Sequence, residues 1–264
     1  MILPLVIASL AVGATLFYAS VLDHRERRVP FRTWYPMLVV AGPCAAIFYA
    51  GLVTGGLAGT ALYFFALSLV FAAVFYTFGM LHLFGGADAW ALIFLCLCIP
   101  AFPVEPILGV PPMGFFPFSV ITDALLLNLV APLALCVYNI VRGNRAPFPY
   151  MFFGYPVEGA EIRKHFGFVM EEITEEEDGT VTRRFLKLRE SLKRTVRGGE
   201  RRMYTKDLRE HPERYARELA LYRKAGKVWI SYAVPFIIPI TAGFVTALFI
   251  GDLLFMIIRV LAGV

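Results

Sequence analysis

The sequence of 264 residues is 58% hydrophobic and only 17% charged, and its mean hydropathy is +0.67. Soluble domains are about half apolar and about a quarter charged, so these values exclude an ordinary cytosolic enzyme, a disordered chain and a secreted disulfide scaffold. The formal net charge of +5 does not indicate a nucleic-acid binder, because the basic residues are grouped in a way that is typical of membrane topology. The composition predicts an integral membrane protein.

Six apolar runs approach the length of about 20 residues that a helix needs to cross a bilayer. They predict a membrane all-α fold with about six transmembrane helices. The last run is too long for one upright helix, and Gly251, Asp252 and Arg259 indicate that its tail leaves or skirts the membrane. In chain order the runs are residues 2–22, 34–53, 57–80, 89–106, 118–140 and 228–264.

The basic residues predict the orientation of the chain. Arg25, Arg27, Arg28 and Arg32 lie between the first two spans, and most other Lys and Arg residues lie in residues 142–227. The loops after the second and fourth spans contain none, so the positive-inside rule puts the N-terminus outside and the basic segments in the cytoplasm. A multi-pass protein of the cell membrane is therefore expected.

Residues 142–227 have the composition of a soluble domain and predict a small cytoplasmic α+β insertion. The expected organisation is transmembrane helices 1–5 in residues 1–141, the insertion, and the sixth helix with its tail in residues 228–264. Within the insertion, β-branched and aromatic residues at 166–173 and 180–188 flank an acidic run and predict a β-hairpin. A helix leading into the sixth span is predicted from four hydrophobic residues on one helical face, Leu208, Tyr215, Leu219 and Tyr222.

Two aspartates stand at the predicted membrane boundary. Asp23 ends the first span and Asp88 begins the fourth, and the predicted orientation puts both at the cytoplasmic face. Asp88 follows Gly85 and Gly86, whose missing side chains leave room for an extended peptide. Two carboxyl groups held together do not both ionise easily, so one keeps its proton while the other is a base. Aspartic proteolysis requires this arrangement, because the base takes a proton from the attacking water while the acid binds the carbonyl oxygen of the substrate.

A purely structural interpretation of these aspartates also has support. An acidic residue at the start of a helix is most often a cap, and one beside arginines is most often in an ion pair. Spacing alone favours that interpretation for Asp88 and Asp23. Asp123 and Asp252 lie on the outer half by this topology and are interpreted as helix-end or interfacial charges.

Other catalytic chemistries lack their motifs. The sequence contains no HExxH zinc helix and no GxSG serine motif. The four cysteines lie in apolar runs without CxxC spacing, which argues against a disulfide framework or a zinc site. We therefore expect no metal and no cofactor.

Two strings resemble the catalytic segments of one protease family. The string DHRERRVP at residues 23–30 resembles the first catalytic segment of type IV prepilin peptidases, and GGAD at residues 85–88 resembles their second, the GxGD motif, in its archaeal preflagellin peptidase form. Phe153-Gly154-Tyr155 and residues 229–240 also resemble the archaeal branch. The resemblance touches nearly the whole chain except residues 171–217.

The resemblance implies a membrane-embedded aspartic endopeptidase that removes short basic leader peptides from preflagellin and pilin-like precursors at the cytoplasmic face. By the same resemblance Asp23 and Asp88 match the catalytic aspartates, and we expect Gly85 and Gly86 to position the substrate backbone. Trp90 stands where many members carry Lys, which bears on substrate preference or contact with lipid headgroups. The chain lacks the zinc-binding cysteine segment of bacterial relatives, so we expect proteolysis without methyl transfer.

Other functions stay open on the sequence alone. A presenilin-like or signal-peptide-peptidase-like protease would hold its aspartates deeper in longer central spans. A non-enzymatic transporter or membrane anchor would use them to bind a cation or cap helices, but the spans show almost no polar path beyond Asn128. No nucleic-acid partner is expected, because the charges of the insertion are mixed in sign. The expected partners are the lipid bilayer and protein substrates with a basic leader and a hydrophobic segment.

Overall fold

The computed structural model describes residues 2–81, 85–176, 180–186, 203–232 and 236–263. These residues are mostly helical and include two small antiparallel sheets. The chain divides into two compact units, one made of Met1–Leu129 with Pro235–Val264 and the other of Val130–Val234. The sheets lie in the second unit.

The helices differ widely in length. A 3₁₀ helix at Phe31–Trp34 leads into the second α-helix, and another at Gly159–Lys164 follows the first strand. In chain order the α-helices are α1 (Ile2–Glu26), α2 (Tyr35–Thr54), α3 (Ala58–Met80), α4 (Gly86–Cys98), α5 (Phe116–Asn128), α6 (Val130–Val141), α7 (Tyr150–Phe153), α8 (Thr205–Glu210), α9 (Ala216–Ala225), α10 (Ile237–Phe249) and α11 (Leu253–Ala262).

Several helices are suited to crossing a membrane. Among the described residues, four helical segments are long and apolar enough, and the bent pair α10 and α11, which changes direction by 61°, passes the same test only as a unit. These findings support a multi-pass membrane protein with four or five candidate spans, and the predicted count of six is not confirmed. The four segments are Ile2–Glu26, Phe31–Thr54, Ala58–Met80 and Phe116–Val141.

The predicted fourth span is shorter than expected. Helix α4 has 13 residues, which at 1.5 Å per residue is about 20 Å, less than the roughly 30 Å of a hydrocarbon core. It ends at Cys98, just before Pro100 and Pro103. Proline has no N–H to donate and clashes with the preceding turn, so the helix stops although the sequence stays apolar.

The prediction that the last helix begins near residue 228 is wrong. Residues Lys227–Ser231 form a strand, β4, which pairs antiparallel with β1 (Gly154–Glu158). The single predicted helix leading into the span is also interrupted, because it is divided into α8 and α9, and α9 ends before Gly226, whose φ is +75°. A short apolar run in a buried strand has the same composition as the start of a membrane helix, and only its pairing distinguishes them.

The predicted hairpin is confirmed. Strands β2 (Glu171–Glu175) and β3 (Val181–Phe185) pair antiparallel, while the turn, with Asp178, lies outside the described residues. Glu171 is buried, and its Oε2 accepts hydrogen bonds from Arg183 at 2.8 Å and from the Trp229 N–H at 3.0 Å. This carboxylate therefore links the two sheets of the second unit.

Helix α10 packs against α5, α1 and α4 in the first unit. A Cβ atom added to Gly243 would lie 2.5 Å from the Val120 carbonyl oxygen of α5, so glycine is needed for this approach. On another side, a Cβ atom on Gly13 of α1 would lie 3.1 Å from the ring of Phe244. Two glycines thus let α10 pack closely against both α5 and α1.

Candidate functional site

A cleft in the first unit brings the two sequence-predicted segments together. Its volume is about 510 Å³, and both Asp23 and Asp88 lie on its wall. Their carboxyl groups are close enough to interact electrostatically. The full lining is Asp23, Arg27, Arg28, Val29, Pro30, Gly85, Gly86, Ala87 and Asp88.

Asp23 occupies the last turn of α1. The helix ends where the Arg27 N–H donates to the Asp23 carbonyl oxygen at 3.1 Å. Arg27 has a φ of +54°, a left-handed conformation that is uncommon outside glycine but typical of a helix C-terminus. This turn leads the following residues, Arg28 to Pro30, along the wall of the cleft.

Asp88 is the third residue of α4, and its carboxylate turns back toward the helix start. The backbone N–H groups of Gly85 and of Ile237, the first residue of α10, lie close enough to this carboxylate to interact with it electrostatically. Gly85 is the residue before the helix, and its N–H is the group that an acidic side chain at the third helical position faces in a capping box. The N-termini of α4 and α10 therefore meet at one carboxylate.

The two predicted glycines differ in their surroundings. A Cβ atom on Gly85 would lie 2.7 Å from Asp88 Oδ2, so the bare backbone of Gly85 makes room for that carboxylate. Gly86 has no atom within 4 Å of the corresponding position. Both line the cleft, but the close approach is at Gly85 and the open space is at Gly86.

Sequence reasoning missed the contribution of α10. Thr241, one turn after Ile237, is buried and shares a hydrogen bond of 2.8 Å with Ser20 of α1. The available signal was a hydroxyl residue within an apolar run, which does not by itself identify a partner. Trp90, singled out by its position after Asp88, stacks on Phe94 with ring centroids 5.3 Å apart.

Asp123 and Asp252 form a separate buried cluster near the bend between α10 and α11. Asp252 caps α11 by accepting the Phe255 N–H at 2.8 Å, as predicted for a helix-end charge, and it accepts the Ser119 hydroxyl at 2.7 Å. Asp123 accepts the Leu253 N–H at 2.9 Å. These contacts stabilise the bend. Among the described residues, no group of three or more His, Cys, Asp or Glu side chains is arranged to hold a metal ion.

Two parts of the chain match known protein families. The type IV leader peptidase family matches residues 10–139, which contain Asp23 and Asp88. The archaeal peptidase A24 C-terminus, type II, matches residues 146–253, which contain α10. No curated protein sequence matches the chain.

Proposed function

Because the chain belongs to the type IV leader peptidase family, we propose that it is a membrane-embedded aspartic endopeptidase that removes short basic leaders from preflagellin and pilin-like precursors. The family supports a protease that processes prepilin-like proteins, and the apolar helices support a multi-pass membrane protein. The observation that carries the aspartic mechanism is the shared cleft of Asp23 and Asp88, whose carboxyl groups interact.

In the proposed mechanism the two aspartates share one proton. The ionised carboxylate takes a proton from a water molecule while the water oxygen attacks the scissile carbonyl carbon. The protonated carboxyl group donates a hydrogen bond to the carbonyl oxygen as it gains negative charge. Collapse of the tetrahedral intermediate breaks the C–N bond, and the leaving nitrogen takes up a proton from the pair.

The positions of the two aspartates support cleavage at the edge of the membrane. Asp23 is in the last turn of α1 and Asp88 is in the first turn of α4. A protease that cuts inside transmembrane helices needs its carboxyl groups within long spans, whereas these are at helix ends. This favours a leader peptidase over a presenilin-like enzyme.

We further propose that the cleft faces the cytoplasm, together with the predicted insertion at residues 142–227. The support is the group of arginines that follows Asp23, which the positive-inside rule assigns to the cytoplasmic side. The open space beside Gly86 is the proposed place for the substrate backbone. The sequence lacks the zinc-binding cysteine segment of the bacterial relatives that also transfer a methyl group, which supports proteolysis without methyl transfer.

The test is cleavage of a purified precursor with a short basic leader by protein reconstituted in liposomes. Asp23→Asn and Asp88→Asn keep the shape of each side chain but remove the acid–base function. Each is expected to lower kcat by roughly 10³-fold or more, because residues that act as a catalytic unit lose most of their effect together.

A matched control is Asp252→Asn, which alters a buried aspartate outside the cleft. Asparagine also caps helices well, so this variant is expected to cleave at the wild-type rate. Cleavage by Asp23→Asn or Asp88→Asn at a rate similar to wild type would contradict the assignment of the pair. Failure of the wild type to cut any basic-leader precursor would contradict the proposed substrate class.

A further inference from the structure

We propose that Thr241 of α10, through its hydrogen bond to Ser20 of α1, is a positioning residue that sets where Asp23 lies relative to Asp88. The inference rests on the proposed function in assuming that these aspartates work as a pair. It adds a third helix to the site, although neither Thr241 nor Ser20 lines the cleft.

The argument begins with one face of α1. Gly13, Leu16, Ser20 and Asp23 follow one another at spacings of three and four residues, so they lie on the same side of the helix. The side chain of Phe244 packs at Gly13, and Thr241 lies one turn earlier on α10. The face that ends in Asp23 is therefore the face that α10 contacts.

The hydroxyl of Thr241 connects the two helices directly. Its Oγ1 atom is 2.8 Å from Ser20 Oγ and 3.3 Å from the Leu16 carbonyl oxygen, and it also lies 2.9 Å from the Ile237 carbonyl oxygen of its own helix. A threonine hydroxyl has one proton and two acceptor sites. Ser20 can thus donate to Thr241 while Thr241 donates to a carbonyl oxygen, which gives both hydroxyls a partner.

Asp88 of α4 lies beside the first residue of α10. Ile237 is one turn before Thr241, and its N–H is among those that have no partner within an α-helix. It lies close enough to the Asp88 carboxylate to interact with it electrostatically. The first turn of α10 therefore contacts α4 at Asp88 through its backbone and α1, one turn below Asp23, through Thr241.

Loss of the Thr241 hydroxyl is expected to change turnover rather than substrate affinity. In Thr241→Val the shape is kept, but Ser20 loses its partner across the helix interface, so α1 shifts or rotates slightly against α10. A shift of a few tenths of an ångström is expected to lower kcat about three- to tenfold, since a misplacement of about 1 Å costs about 10²-fold. KM is expected to stay unchanged because the residues that line the cleft are untouched.

The activity test compares five variants with the wild type in the precursor cleavage assay. Thr241→Ser keeps the hydroxyl and is expected to retain wild-type kcat. Ser20→Ala is expected to match Thr241→Val, and the double variant is expected to be no slower than either, because both remove the same bond. The control is Thr15→Val, because within the part of the chain that the structure describes the Thr15 hydroxyl donates only to the Ala11 carbonyl oxygen of α1 itself. Equal losses in Thr241→Val and Thr241→Ser, or additive losses in the double variant, would overturn the proposal.

A second test does not depend on protease activity. Cysteines replace Asp23 and Asp88 in full-length protein that has its native cysteines changed to alanine, and a short bifunctional thiol reagent measures their cross-linking rate in membranes. Thr241→Val is expected to change this rate severalfold, and Thr15→Val is expected to leave it unchanged. The same rate with and without Thr241→Val would overturn the positioning role. A changed rate combined with no precursor cleavage by the wild type would instead contradict the proposed function.

Discussion

Replacing Gly85 by alanine is expected to displace the Asp88 carboxylate and lower catalytic turnover. A Cβ atom on Gly85 would lie 2.7 Å from Asp88 Oδ2, whereas ordinary van der Waals contact begins at 3.4 Å. Gly85 has φ −60° and ψ 145°, which alanine adopts without strain. The effect therefore comes from the added methyl group and not from the backbone.

The size of the effect follows from the overlap. If the backbone stays in place, the Asp88 carboxylate must move from 2.7 Å to the contact distance of 3.4 Å, which is a shift of about 0.7 Å. Since a misplacement of about 1 Å lowers the rate of an enzyme by about 10²-fold, Gly85→Ala is expected to lower kcat by about 10- to 50-fold. KM is expected to change little, because the methyl group contacts Asp88.

Gly86 provides a comparison one residue away. No atom lies within 4 Å of its Cβ position, so Gly86→Ala is expected to leave Asp88 and kcat unchanged. It is expected to raise KM, because the proposed path of the substrate backbone passes this open space. Gly59→Ala in α3, which also has open space around its Cβ position, is the control that should alter neither constant.

Steady-state cleavage of a purified precursor in liposomes gives kcat and KM for each variant. Thermal unfolding shows that each variant is folded. A folded Gly85→Ala variant with the kcat of the wild type would refute the reasoning that the position of the Asp88 carboxylate limits turnover. A similar fall in kcat for Gly85→Ala and Gly86→Ala would refute the distinction drawn between the two glycines.

Two further predictions concern the second unit. Asn139 is buried in α6 and donates to the carbonyl oxygens of Met151 at 2.9 Å and Gly154 at 2.8 Å, so Asn139→Leu is expected to lower the free energy of unfolding by about 1–3 kcal/mol in denaturant titrations. An unchanged unfolding midpoint would contradict this. Burial raises the pKa of Tyr222 to about 12, so the contribution of Tyr222 to stability is present below about pH 10 and is lost as the pH rises toward 12. Between about pH 9 and about pH 11.5 the wild type is expected to lose more stability than Tyr222→Phe, and parallel losses would argue against the buried phenol.

Much of the membrane part could be predicted from the sequence. Helices α1, α2 and α3 lie within a residue or a few of the predicted runs, because a chain in lipid must satisfy its backbone within a helix of about 20 apolar residues. The hairpin of β2 and β3 was predictable for a similar local reason, since β-branched residues flank a turn. In each case the signal and the structure occupy the same short stretch of chain.

The sequence was less informative where an apolar run had more than one possible fold. The run that contains α4 stays apolar beyond Cys98, but prolines end the helix there. The run after Lys227 begins as a strand because its residues pair with β1, and hydrophobicity does not distinguish a buried strand from the start of a membrane helix. Helix α10 then starts only at Ile237.

For the candidate site, the sequence by itself determined which residues to consider. Asp23 and Asp88 were identifiable because each sits in a short motif at the end of an apolar run, and Gly85 and Gly86 adjoin one of them. Only the tertiary structure decided that these segments line one cleft, that the Asp88 carboxylate lies near the Ile237 N–H, and that Ser20 meets Thr241. The physical reason is that these contacts depend on how α1, α4 and α10 pack, and side-chain packing between distant segments leaves no periodic signal in any one of them.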